Sequence, residues 1–123
     1  MLLPVPDELQ APVAALQRWA LGHPEISAVF LFGSRVRGMH RPDSDLDVAV
    51  AFDLPDLEEA DVFWIDHKAR WEKELTQVIG LTIDLDEAHP KRAPKVWTYL
   101  RHQHTLVYVR GMELRQGRVI SAT

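Results

Sequence analysis

The 123-residue chain contains no cysteine. Disulfides and thiolate metal sites are therefore excluded, and a reducing cytoplasm is the expected setting. No apolar run approaches the roughly 20 residues that cross a bilayer, so no membrane association is expected. The first residues, Met1-Leu2-Leu3-Pro4-Val5-Pro6-Asp7, lack a basic start and a long apolar region, which argues against a signal peptide. Basic charge is not in excess either. The formal net charge is −4 and the lysines and arginines are scattered, so an extended nucleic-acid footprint is not expected, although a short RNA end is compatible. Internal repeats and low-complexity stretches are absent. A hydrophobic content of 46% and a charged content of 26% are those of a soluble globular protein, and the length predicts one domain over residues 1–123.

Against these absences, one segment stands out. Gly33-Ser34 precedes Asp45-Leu46-Asp47 by ten residues, with an apolar run on each side. Before it, Ile26-Ser27-Ala28-Val29-Phe30-Leu31-Phe32 is continuous and of strand length, which reads as a strand buried on both faces. After it, Leu46, Val48, Val50 and Phe52 alternate with Asp45, Asp47, Ala49 and Ala51, the period of a strand. That alternation predicts one core face and one face carrying both carboxylates, with their Cα atoms roughly 6.5–7 Å apart. Carboxylates so placed repel unless cations or protons neutralise them. Mg²⁺ suits such a pair because it takes oxygen ligands and keeps positions for substrate phosphates.

The Gly-Ser end has its own chemistry. Ser34 is a good N-cap and Gly38 a good stop four residues later, so a single helical turn is expected between them. Free N–H groups at such a terminus favour an anion, and glycine at 33 allows close approach of a phosphate. Arg35, Arg37 and Arg41 add positive charge, and guanidinium forks match phosphate oxygens. Ser44 either caps the turn before its strand or orients Asp45. His40, in the same loop, is expected to be solvent exposed.

A third carboxylate follows further along. Leu81, Ile83 and Leu85 alternate with Thr82, Asp84 and Asp86, so a neighbouring strand would bring Asp84 or Asp86 beside the pair. Asp84 is favoured because it lies in mid-strand, whereas Asp86 adjoins Glu87 and an expected loop. Three carboxylates around two cations is a layout for in-line phosphoryl chemistry.

Together, Gly33-Ser34, Asp45-Leu46-Asp47 and Ile83-Asp84-Leu85 resemble the signature of the polymerase-β-like nucleotidyltransferase superfamily, and the short length resembles its minimal branch. The resemblance covers about residues 26 to 86. It implies an α/β (α+β) fold, a mixed sheet flanked by helices, with ATP or another NTP as donor and two Mg²⁺ ions as cofactor. It implies Asp45, Asp47 and Asp84 as metal-holding and catalytic groups, with Gly33, Ser34, Arg35 and Ser44 around the nucleotide. Minimal members are often paired with a HEPN-domain ribonuclease toxin, and some adenylylate a tyrosine on it. A HEPN toxin is therefore the expected acceptor and partner, with this chain as antitoxin. Transfer to a small molecule or an RNA end, or a partner-binding role without catalysis, are the alternatives. Val36 departs from the small residue usual in the family, which puts crowding of the turn in question.

The remaining pattern forms a shell. Leu9, Val13, Leu16 and Ala20 recur at helical spacing, predicting a helix that starts at Asp7 or Ala11 and ends near Gly22-His23-Pro24. A second helix is expected from about Leu57 to Ile79, stopped by Gly80, with Trp64, Trp71, Leu75 and Val78 as a core stripe and His67 on its surface. Apolar positions left exposed on this helix would serve a homo- or hetero-oligomer. A third helix is expected from about Pro94 to Gln103, and a strand over Thr105–Val109. His102 and His104 suggest no third ligand, so no zinc site is expected. The tail from Gly111 has no clear pattern.

Overall fold

The computed structural model describes residues 2–54, 56–111, 113–115 and 118–120, the last two stretches by backbone alone. Four strands form one mixed sheet in the order β3-β2-β1-β4: β1 (Ile26–Phe32), β2 (Leu46–Phe52), β3 (Ile83–Glu87) and β4 (Thr105–Val109). β1 pairs antiparallel with both β2 and β4, whereas β2 and β3 are parallel. A parallel pair requires a crossover, and α2 (Leu57–Ile79) supplies it. The other helices are α1 (Gln10–Leu21) and α3 (Pro94–His102). A short hairpin, β5 (Glu113–Arg115) with β6 (Arg118–Ile120), lies in the tail where the sequence suggested no element.

α2 has the bounds its punctuation predicts. The Asp56 carboxylate accepts the Glu59 N–H at 3.0 Å, and Gly80 ends the helix in the left-handed conformation, φ 81°. Its inner face buries Trp71 and Leu75, and Trp64 packs at the margin of the same core. Val78 does not join the stripe, being 62% exposed. His67 is half-buried rather than superficial: its ring stacks on Phe63 and its Nδ1 lies 2.7 Å from the Phe63 carbonyl. α1 is preceded by a 3-10 turn, Asp7–Leu9, so the helical segment begins at Asp7 and the α-helix proper at Gln10.

The two faces of the sheet are covered unequally. Val29 and Leu31 of β1, Leu46, Val48 and Val50 of β2, and Ile83 and Leu85 of β3 pack with α1 and α2 in the larger core. Phe30, Phe32, Ala49 and Ala51 face the other way and pack with Val96, Trp97 and Leu100 of α3. Period two therefore puts Asp47, Asp84 and Asp86 on the α3 side. α3 has only nine residues, too few to cover that face. The uncovered part is where the carboxylates stand.

α2 also closes the free edge of the sheet. The Ile83 N–H donates to Thr76 Oγ1 at 3.2 Å and the Leu85 N–H to Glu72 Oε2 at 2.9 Å. These side chains satisfy donors that an edge strand would otherwise offer to another chain. Just beyond β3, buried Glu87 pairs with Arg92, whose Nε donates to Oε2 at 2.6 Å. Among the described residues no helix is long and apolar enough to cross a membrane.

Candidate functional site

The turn after β1 is a single capped turn. The Met39 N–H donates to the Ser34 carbonyl at 2.9 Å and the Gly38 N–H to the Arg35 carbonyl at 3.4 Å, with Gly38 at φ 71°. That pair of bonds is a Schellman closure, and it ends the turn where the sequence placed a stop. Val36 does not crowd this turn. Its side chain is buried and belongs to the larger core, anchoring the turn to the sheet.

Gly33 and Asp47 are tightly apposed. Phe32 and Asp47 are register partners across β1 and β2, which brings the residue after Phe32 to the Asp47 side chain. A Cβ at Gly33 would stand 2.0 Å from Asp47 Oδ2 and 2.9 Å from Cγ, and Gly33 has φ 80°. Only glycine fits here, for space and for backbone conformation alike.

Across the other edge of β2, Asp47 is in register with Asp84, while Asp86 pairs with Ala49 two residues along. Neighbouring strands lie about 4.8 Å apart, so the Asp47 and Asp84 carboxylates are adjacent. Asp47 responds accordingly. Burial, then the charge of Asp84 and a hydrogen bond with it, then Asp86 and Asp45, push its pKa up from 3.8 to about 6. Asp86 is also raised, by burial and by Asp84, but Lys68 on α2 opposes the shift. Asp86 thus has Lys68 nearby, though Glu72 acts against it, and no cation is among the influences on Asp47.

Asp45 departs from the strand pattern. It precedes β2, which starts at Leu46, and its side chain is exposed. Its charge still reaches Asp47, as the smallest of the influences that raise it. The loop rather than the strand ladder sets its position.

The arginines are also redistributed. Arg35 is 7% exposed; its Nε donates to the Ser44 carbonyl at 2.9 Å and Nη2 to the Pro42 carbonyl at 3.2 Å. It braces the loop from beneath, and that occupation replaces the phosphate contact expected from its sequence position. Ser44 joins the same brace: its hydroxyl accepts the Arg41 N–H at 2.8 Å, the capping role. Arg37 is the cation on the cavity wall, with its Nε donating to the Gly33 carbonyl at 3.3 Å. His40 is only partly exposed and its Nε2 lies 3.1 Å from Glu8 Oε1, which turns it away from a solvent role.

A cavity of about 610 Å³ joins these groups. From the sheet and its turn it is lined by Phe32, Gly33, Ser34, Asp47, Asp84 and Asp86, and from the α3 segment by Val96, Tyr99, His102 and Gln103. The volume lies within the range of small-molecule sites. The α3 wall is not legible in the sequence, where neither Val96 nor Tyr99 belongs to a motif. Its signal is the stripe Val96, Tyr99, Gln103 at helical spacing, which acquires meaning only once α3 is docked beside the carboxylates.

The donor set suits Mg²⁺. It consists of hard oxygens, and burial first and then the neighbouring carboxylates disfavour the ionised form of Asp47 unless a cation is present. Among the described residues no three His, Asp or Glu side chains converge to cage an ion by themselves. The three-carboxylate layout expected from the sequence is therefore not assembled in this structure, and the register pair Asp47 and Asp84 is what offers oxygen ligands to a cation such as Mg²⁺.

Comparison with known proteins bears on the family and the fold. The sequence model of the family described as polymerase beta, nucleotidyltransferase matches residues 15–112. Among solved structures, the fold is similar to a toxin–antitoxin crystal structure with AMP-PNP, at 20% identity and a TM-score of 0.58, covering 80% of this chain and 73% of that one. It is also similar to a mutant of the toxin–antitoxin MntA-HpeT in which two aspartates two positions apart are replaced by glutamate. There the identity is 19% and the TM-score 0.53, over 73% of this chain and 66% of that one. No curated protein matches the chain by sequence.

Proposed function

Because the chain belongs to the polymerase-beta nucleotidyltransferase family, we propose that its cavity transfers a nucleoside monophosphate, AMP from ATP, to a hydroxyl group. The observation that carries this reading is the convergence on one cavity of a glycine turn and a pair of register-matched carboxylates. The Gly33-Ser34 turn admits the β- and γ-phosphates, and Arg37 offers them a guanidinium. Asp47 and Asp84, with Asp45 at the head of β2, would hold Mg²⁺, which when bound neutralises polyphosphate charge and favours ionisation of the acceptor hydroxyl.

The remaining work is positional. The rigid β2–β3 ladder fixes Asp47 and Asp84 with respect to Gly33, so the α-phosphorus is presented to the acceptor at one place. The acceptor oxygen forms the new bond to the α-phosphorus, the α–β anhydride bond breaks, and pyrophosphate leaves. The acceptor proton passes to a neighbouring carboxylate or to water. Preorganised charge contributes most of the acceleration.

The acceptor we favour is a tyrosine of a HEPN-type toxin, with this chain as its antitoxin in the cytoplasm. Similar solved structures are toxin–antitoxin assemblies, one of them with the ATP analogue AMP-PNP, which supports both a nucleotide donor and a protein partner. Apolar side chains left exposed on α2, Val62 at 59% and Ile65 at 76%, are suited to a partner or a second copy. In this reading residues 1–123 act as one nucleotidyltransferase unit.

The test is label transfer. The protein, Mg²⁺ and ATP labelled at the α-phosphate are incubated with the product of the adjacent gene, beside an Asp45→Asn/Asp47→Asn control. Label on the partner that disappears in the control supports the proposal. Folded Asp45→Asn/Asp47→Asn protein that neutralises the partner as well as wild type would favour binding without catalysis.

A further inference from the structure

Besides the glycine turn and the carboxylates, the cavity is lined by residues of α3, and we propose that one of them, Tyr99, is the platform on which the donor's nucleobase stacks. This inference rests on the nucleotidyltransferase reading and deepens it. Phosphates and cations need the side lined by Gly33, Ser34, Asp47 and Asp84. The α3 residues that line the same cavity are then left for the sugar and the flat base.

That wall has the character a base needs. Val96, Tyr99 and Gln103 are spaced by three and four residues, so they share one face of α3 and its C-cap. Trp97 and Leu100, on another face, pack into the smaller core and hold the helix in place. Tyr99 is 49% exposed even though it lines the cavity. Its ring lies nearly parallel to that of Phe32, at 22° and 6.5 Å between centroids, and Phe32 is itself only 6% exposed. Phe32 also lines the cavity, so two near-parallel aromatic rings stand on its wall. A packing role alone would leave a half-exposed aromatic on the wall of an open cavity. A base-stacking role accounts for both the exposure and the orientation. Val96 extends the apolar wall, and the Gln103 amide can both donate to and accept from a base edge.

Calorimetric titration of the full chain in Mg²⁺ tests this, with AMP-PNP and inorganic tripolyphosphate as the two probes. Tyr99→Ala is expected to weaken AMP-PNP binding by roughly 5- to 100-fold, the range for a base losing an aromatic partner, and to leave tripolyphosphate binding unchanged. Tyr99→Phe, which keeps the ring, is expected to retain AMP-PNP affinity. Equal loss for both probes, no loss for either, or a Tyr99→Phe loss as large as that of Tyr99→Ala would overturn the platform. Wild-type protein that bound tripolyphosphate but not AMP-PNP would overturn the platform and leave the phosphate reading standing. Wild type that bound neither probe would overturn both.

Discussion

The carboxylate of Asp47 occupies the space that a side chain at Gly33 would need: a Cβ there would fall 2.0 Å from Asp47 Oδ2. Glycine therefore does more at this turn than permit a phosphate to approach. It lets the strand end and the carboxylate share one position.

Gly33→Ala should consequently damage fold and site together. The left-handed backbone alone costs about 1–2 kcal/mol for a non-glycine residue, and the carboxylate must also move. A melting temperature lower by on the order of 5 °C or more is expected, together with loss of Mg-nucleotide binding. A thermal melt and a nucleotide titration check this; unchanged values for both would contradict the fit between these two residues.

Asp47→Asn should separate stability from activity. Asp47 is held against Asp84 with its pKa raised to about 6, so at neutral pH its ionised form strains the metal-free fold. Removing that charge should raise the melting temperature of the metal-free protein by a few degrees, the usual relation between a functional site and stability. Transfer activity should vanish. A lower melting temperature at pH 7.5 without Mg²⁺ would count against carboxylate repulsion.

The same shift sets a pH dependence. The folded-state pKa of Asp47 exceeds its unfolded value of 3.8, so between roughly pH 4 and 6 the native state binds the extra proton. Stability then falls as pH rises through that window and gains as pH is lowered, and Asp86 acts in the same direction. Protons and Mg²⁺ compete for these oxygens, so nucleotide binding should weaken as pH drops below about 6. Denaturant unfolding of metal-free wild type against Asp47→Asn, across this range, would show the difference narrowing towards acid pH. A difference independent of pH would contradict the assignment.

Arg35 and Arg37 should part company. Arg35→Ala removes two hydrogen bonds from a buried guanidinium, a loss of roughly 1.5–3 kcal/mol per charged bond at most, and should lower stability. Arg37→Ala touches an exposed side chain on the cavity wall and should weaken Mg-nucleotide binding with little change in melting temperature. The reverse pattern would place the phosphate-facing cation at Arg35 after all.

Much of this arrangement was legible in the sequence because local signals and tertiary structure agreed. Gly80 stops α2, and the two-residue period of Leu46–Phe52 and of Leu81–Asp86 marks β2, β3 and the carboxylate face, although β3 begins at Ile83 and runs through Glu87, where a loop was expected. Other features needed the fold. Arginine at 35 and at 37 reads alike in a string, and only docking of Val36 into the core turns one inward and the other towards the cavity. Alternation alone also extended β2 by one residue to Asp45, where pairing had already ended. Val78 fits the apolar stripe of α2, but Ile79, four residues after buried Leu75, is the residue that packs against the core there. Tyr99 had no motif, and its significance comes from where α3 sits.

The two candidates for the third carboxylate differ by register. Asp84 sits opposite Asp47, and Asp86 sits two residues along with Lys68 nearby. Asp84→Ala should therefore abolish turnover, whereas Asp86→Ala should reduce it less. Full activity in Asp84→Ala with none in Asp86→Ala, measured as label transfer, would reverse their order.

The central claim is that Gly33, Asp47 and Asp84 form one metal-dependent nucleotide site. The most direct measurement is the affinity of the full chain for AMP-PNP with and without Mg²⁺, in wild type and in Asp47→Asn. Binding that requires Mg²⁺ in wild type and is lost in a folded Asp47→Asn protein is the result this account predicts. Binding equal with and without Mg²⁺, and unchanged by Asp47→Asn, would contradict it.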